Sequence, residues 1–143
     1  MRRVLWLCLA VFLFGGCSGS GSSPKAQPTP CPSYEALSEP SKLPKDIDLS
    51  AYGTVISEEI KSGFLISEAR SDLLVVEADP LIQRDLFAHD FEVLSHDNEG
   101  FEAEIFFSRG KEIVGTFSLH NLCRGQIRIK LVLGADRYNR GDG

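Results

Sequence analysis

Between residues 102 and 133, apolar and polar side chains alternate with a period of two. Ala103, Ile105 and Phe107 oppose Glu102, Glu104 and Phe106, and Ile113, Gly115, Phe117 and Leu119 oppose Val114, Thr116 and Ser118. Ile127, Ile129, Leu131 and Leu133 likewise oppose Gln126, Arg128, Lys130 and Val132. Successive side chains of a strand point to opposite faces, so the pattern predicts an antiparallel meander with one face on a core and the other partly wet. Strands are expected over 91–96, 102–108, 112–119 and 126–133. They are separated by Asp97-Asn98-Glu99-Gly100, Arg109-Gly110 and a loop over 120–125. Upstream, 54–60 and 64–70 flank Lys61-Ser62-Gly63, a short glycine-containing turn, and predict a hairpin.

The run 73–78 is apolar without alternation and fits either a covered strand or the first turns of a helix. Asp79-Pro80 favours the strand. Asp is a good N-cap, and Pro suits the first helical position, where an N–H would be unpaired in any case. The expectation is a strand ending at Ala78 and a helix over 80–90, with Ile82 and Leu86 on one face and His89 beside them. A longer helix from Asp72, kinked at Pro80, competes with this. Residues 34–52 hold scattered apolar anchors (Tyr34, Leu37, Leu43, Ile47, Leu49, Tyr52) with no sustained period. They predict an irregular segment packed on the domain, with one helical turn near 32–37. Phe106 lies on the polar register: docking of residues 34–52 over it is the expected cover, and an exposed contact patch is the alternative. The fold class that results is α+β: one domain over 34–133, an antiparallel sheet of about six or seven strands, and one principal helix against it.

The N-terminus follows a different pattern. Arg2 and Arg3 precede eleven apolar residues, Val4 to Phe14. A helix of that length is roughly 16 Å long, about half a hydrocarbon core, which suits a signal-peptide core and is too short to span. Leu13-Phe14-Gly15-Gly16-Cys17 follows, and it resembles the lipobox of bacterial lipoproteins, with Phe14 where that family most often has leucine. The resemblance implies a signal peptide over 1–16, cleavage before Cys17, diacylglycerol on the Cys17 sulfur, and often acylation of the new amine, palmitate being a typical chain. The alternative is a plain signal peptide with an incidental cysteine. The lipid would be the chain's membrane partner on the extracytoplasmic face of the bacterial cell envelope, and two or more acyl chains anchor durably where one does not. Residues 17–33 are rich in Ser, Gly and Pro and predict a flexible linker with a mean reach of roughly 20–25 Å. The polar tail, 134–143, is expected to fray.

Composition narrows function further. Loss of Arg2 and Arg3 from 15 basic residues, against 20 acidic ones, moves the formal charge from −5 to −7. This acidity argues against a nucleic-acid partner and against polybasic adhesion to lipid. Of four cysteines, Cys8 lies in the leader and Cys17 is the lipidation candidate. Cys31 and Cys123 remain, and in an exported chain a disulfide is the simple expectation; two unpaired thiols are the alternative. Such a bond would close a loop of about 90 residues, worth about 4–5 kcal/mol in the entropy model.

Candidate chemistry is sparse. His89, His96 and His120 are the histidines, two of them followed by aspartate. They are weak candidates for a metal, because seven residues carry the pairs from a helix end into a turn and no His-Glu-x-x-His occurs. The alternative puts His89 in the last helical turn, favourable to the helix dipole, and the others at strand ends. No nucleophile elbow, phosphate-binding glycine loop or Cys-x-x-Cys is present, so no catalytic residue and no cofactor is expected. Asp97-Asn98-Glu99-Gly100 departs from calcium-loop spacing. Glu102 and Glu104 are candidates to pair with Arg128 or Lys130 if their strands are neighbours. Arg140-Gly141-Asp142 spells an integrin-type tripeptide and carries no weight in a terminal tail. The functional expectation is a membrane-tethered, non-enzymatic accessory lipoprotein that binds an envelope protein or component. A small-ligand binder with its site between helix and sheet is the alternative, and a metal-assisted hydrolase stands behind both.

Overall fold

The computed structural model describes residues 30–39, 41–123 and 125–134. The expected leader, the lipobox-like stretch, most of the expected linker, and the tail with Arg140-Gly141-Asp142 lie outside the described residues. The elements are a 3-10 turn at Leu49–Ala51, β1 Thr54–Lys61, β2 Phe64–Ser71, α1 Val75–Ala88, β3 Glu92–Asn98, β4 Glu102–Arg109, β5 Ile113–Cys123 and β6 Gln126–Gly134. This is an α+β fold: one antiparallel sheet of six strands in the order β1-β2-β6-β5-β4-β3, with a single helix on it. The β1–β2 hairpin leads into α1, which crosses the inner face and delivers the chain to the opposite edge. The meander β3-β4-β5-β6 then walks back until β6 pairs with β2.

Alternation decides which side is buried. Leu65, Ala69, Ile105, Phe107, Phe117, Leu119, Ile129 and Leu131 point to the inner face and are at most 1 % exposed. α1 covers this face over β3, β4 and β5. Ile47, Leu49 and Tyr52 complete the core beside the helix, with Leu43 packed against it. The Tyr52 ring meets Phe117 edge-on at 6.4 Å, and its hydroxyl donates to Asp85 Oδ2 at 3.0 Å. Burial, then the bond to Asp85 and its charge, push the Tyr52 phenol far above its ordinary pKa. Gly115 keeps the inner face closed at its centre, since a Cβ there would sit 2.5 Å from Phe107 Cζ and 2.6 Å from Leu133 Cδ2.

Several expectations are corrected. The run 73–78 is not a strand: α1 begins at Val75 and runs through Pro80 to Ala88, as the competing long helix had it, with a slightly later start. Glu77 makes the early start possible by accepting from the Leu74 N–H at 2.8 Å, which satisfies a group that helix ends leave orphaned. Val75, Ala78, Ile82 and Leu86 form one buried stripe spanning Pro80, so burial outweighs the hydrogen bond that proline cannot donate. No helical turn forms at 32–37; the single turn is Leu49–Ala51, where Asp48 caps the Ser50 N–H at 3.0 Å. The N-terminal segment wraps to the inner face, so Phe106 on the outer face is not beneath it and is 43 % exposed. β5 separates β4 from β6, which removes the expected pairing of Glu102 or Glu104 with Arg128 or Lys130 on neighbouring strands.

Cys31 and Cys123 form a disulfide with their Cα atoms 5.3 Å apart and 92 residues between them in sequence. It fastens the N-terminal segment to the end of β5. From there Leu37 donates its N–H to the Val55 carbonyl at 2.8 Å, and Glu58 accepts from Ser41 Oγ and the Lys42 N–H, both at 2.7 Å. The chain's own segment thus meets β1 at Val55 and Glu58, covering part of that edge.

Candidate functional site

Two arrangements of polar chemistry stand out, one on each face. On the inner side, Asp79 lies on α1 opposite β3. It is 3 % exposed, yet its carboxylate is satisfied. Gln83 Nε2, one helical turn later, donates to Oδ1 at 2.8 Å. Oδ2 accepts from His96 Nε2 at 2.9 Å and from Asn98 Nδ2. A register shift between Val93 and Ser95 inserts an extra residue in β3 and turns His96 and Asn98 inward. Burial pushes the Asp79 pKa up, but the hydrogen bonds from Asn98, Gln83 and His96 prevail and hold it below the ordinary aspartate value.

Chemically this resembles the base-and-orienter half of a catalytic triad. No serine, threonine or cysteine among the described residues is hydrogen-bonded to His96. The bonds to Gln83, His96 and Asn98 make Asp79 the centre of a polar clasp between α1 and the edge strand. The three histidines do not converge. His89 ends α1 with Nδ1 at 2.9 Å from the Asp85 carbonyl, His96 sits in the clasp, and His120 Nδ1 lies 3.3 Å from Glu102 Oε2 on the outer face. Among the described residues, no group of three or more His, Cys, Asp or Glu is placed to hold a metal ion.

The outer face of the sheet is the second arrangement, and cross-strand register orders it in rows. One row runs Ser95, Phe106, Thr116, Val132, Ile66, Glu59 from β3 to β1. Val114 and Phe64 lie in the row below, with Gly134 aligned with Phe64 between them. Phe106, Val114 and Phe64 are 43 %, 51 % and 47 % exposed. The row above runs Asp97, Glu104, Ser118, Lys130, Glu68, Ser57. The next holds Glu102, His120, Arg128, Arg70 and Thr54. The first two rows carry the apolar side chains of the face, Phe64, Ile66, Phe106, Val114 and Val132, among Ser95, Ser108 and Thr116, with Glu92, Glu59 and Lys61 at the edges. The other two are acidic towards β3 and β4 and contain a cationic block, Lys130, Arg128 and Arg70, on β6 and β2. Asp97, Glu99, Glu102, Glu104 and His120 line a depression of about 270 Å³ at the acidic end.

Arg70 and Arg128 are direct cross-strand partners, an arrangement that like charges disfavour. Arg70 Nη1 and Arg128 Nε are shut off from solvent with no hydrogen-bond partner, and neither guanidinium has an ion pair among the described residues. Sequence reasoning placed Arg128 on the outer face but did not put Arg70 beside it. The two lie far apart in sequence, and only the closing of β6 onto β2 makes them neighbours. Asp79 was read as a helix cap and proved to be the buried acceptor; the inward turn of His96 and Asn98 depends on a bulge that leaves no compositional mark.

No helix among the described residues is long and apolar enough to cross a membrane. No family model, curated protein or solved structure matches this chain.

Proposed function

We propose that this chain is a lipid-tethered, extracytoplasmic interaction module with no catalytic role, and that the outer face of its sheet is the contact surface. The observation that carries this reading is the band of exposed apolar residues, Phe64, Phe106 and Val114, on a sheet face that neither helix nor N-terminal segment covers. A sheet normally buries an apolar face against another layer, and among the described residues no second layer lies on this side. The helix–sheet interface, by contrast, is filled by Val75, Ala78, Ile82, Leu86, Ile105 and Phe107, all at most 4 % exposed, which disfavours a ligand site between them. The lipobox-like leader supports the tether, and the Cys31–Cys123 bond agrees with an oxidising compartment.

Photo-crosslinkers placed at Phe106 and Val114 of the full-length chain, in membranes of a bacterial host that processes lipoproteins, test the surface. Adducts are expected from these positions, and few from Val76 on the exposed side of α1. Equal adducts from Val76, or none from Phe106 and Val114, would contradict the assignment.

A further inference from the structure

We infer that the occupant of the outer face is a second copy of this chain, packed sheet against sheet about a two-fold axis parallel to the strands. This rests on the preceding reading of the outer face as the contact surface.

Such an axis, running between β5 and β6, keeps each cross-strand row opposite the same row and reverses the strand order. β4 of one copy then lies over β2 of its partner, and β5 over β6. The apolar rows meet each other: Phe106 faces Ile66 of the partner, and Thr116 faces Val132. In the charged rows, Glu102 faces Arg70 of the partner, twice over by symmetry. Glu104 faces Glu68, with the Lys130 ammonium of the partner on the adjacent strand. The side of the face that is acidic meets the side that carries the cationic block, which is self-complementarity of the kind an isologous interface requires.

The cross-strand pair of arginines gives a second reason. Within one chain, Arg70 and Arg128 stand side by side with no acceptor for Arg70 Nη1 or Arg128 Nε. Glu68 shares this face two residues from Arg70 but stands opposite Lys130, and Glu102 lies on β4, roughly 14 Å from β2 at about 4.8 Å per strand. A partner brings Glu102 over Arg70 and His120 over Arg128; the carboxylate offsets the juxtaposed positive charge, while Arg70 Nη1 and Arg128 Nε stay enclosed within their own chain. Packed sheets lie about 10 Å apart, a gap that arginine and glutamate side chains bridge from opposite sides.

Area permits it. Six strands at about 4.8 Å and about eight residues at about 3.3 Å give a face of roughly 750 Å² per copy. The pair would bury at most roughly 1,500 Å², within the span of stable interfaces. The tether selects the axis. Cys31 is bonded to Cys123 at one strand end, and an axis parallel to the strands leaves both copies of that end on the same side. Two lipidated chains then enter one membrane. An in-plane axis perpendicular to the strands would send the tethers to opposite sides. The acidic rows also make a lipid surface a poor alternative occupant.

The test uses the full-length chain, in membranes of a lipoprotein-processing host, as two differently tagged copies expressed together. Thr116→Cys lies beside the proposed axis, and Ser118→Cys serves as a second reporter. Each is treated with a short bismaleimide, and folding is checked by retention of the Cys31–Cys123 bond. A product at twice the monomer mass carrying both tags is expected. It should fall about tenfold or more with Arg70→Glu or Glu102→Arg alone and return when the two are combined. The double variant cannot restore a contact within one chain, because those strands are not neighbours. If the reporters join only a different protein, the second copy is wrong while the interaction module stands. Folded reporters that join nothing would overturn both. A double variant that fails to regain the product would overturn the proposed arrangement.

Discussion

Asp79 accepts from three side chains drawn from two elements, and few single substitutions should be felt as strongly. Asp79→Asn turns one acceptor into a donor facing His96 and Asn98, leaving buried groups unsatisfied. A loss of about 2–3 kcal/mol is expected in urea unfolding near neutral pH. The folded pKa of Asp79 is depressed, so its contribution is complete above the unfolded carboxylate value of about 3.9. It drains away as pH falls through the lower folded value. Asp46, held down by its hydrogen bond to Arg109, acts with the same sign. The wild-type protein should therefore lose stability on acidification, and Asp79→Asn should lose less; an identical acid slope in both would refute the clasp. Gly115→Ala tests the packing beneath the sheet. Phe107 and Leu133 are at most 1 % exposed and have little room to yield, so a cost of about 1–3 kcal/mol is expected in the same assay.

At the scale of elements, what could be foreseen depended on whether the deciding signal was local. The alternation over 102–133 is local, and β4 and β6 formed where it predicted, with Ile105, Phe117 and Ile129 inside; β5 formed there too but runs on to Cys123, through most of the expected loop. Pro80 misled because its local meaning, a helix start, was overruled by a tertiary one: only a helix begun at Val75 lines up Ala78 and Ile82 over the sheet. Replacing this exposed proline supplies the missing N–H to the Val76 carbonyl. Pro80→Ala should raise stability by about 1–3 kcal/mol, read as a higher urea midpoint; no change, or a decrease, would mean the helix relies on its proline. Cys31 and Cys123 could be foreseen by counting, whereas the strand order could not, because β2 finds β6 only after α1 has crossed the sheet. Replacing both cysteines with serine should lower stability by up to about 4–5 kcal/mol, the entropy-model value for this loop, with the midpoint insensitive to reductant afterwards.

For the molecule as a whole, one layer of cover is accounted for and one is not. α1 and residues 41–52 seal the inner face, while Phe64, Phe106 and Val114 remain at the outer one. The candidate contact surface was visible in the sequence only as one anomaly, a phenylalanine between Glu104 and Ser108, and its reading as a covered residue was mistaken. Rows such as Glu102, His120, Arg128 and Arg70 arise from pairing strands distant in sequence, so charge segregation on that face became visible with the sheet order. A surface of this kind acts as proposed only if the domain is held where its partner is, which makes the leash the central claim. Intact-mass and N-terminal peptide spectrometry of the protein isolated from host membranes tests it directly. The account predicts a chain that starts at Cys17 and bears acyl-glyceryl mass on that sulfur. A chain that retains Met1, or that starts at Cys17 with an unmodified thiol, would contradict it.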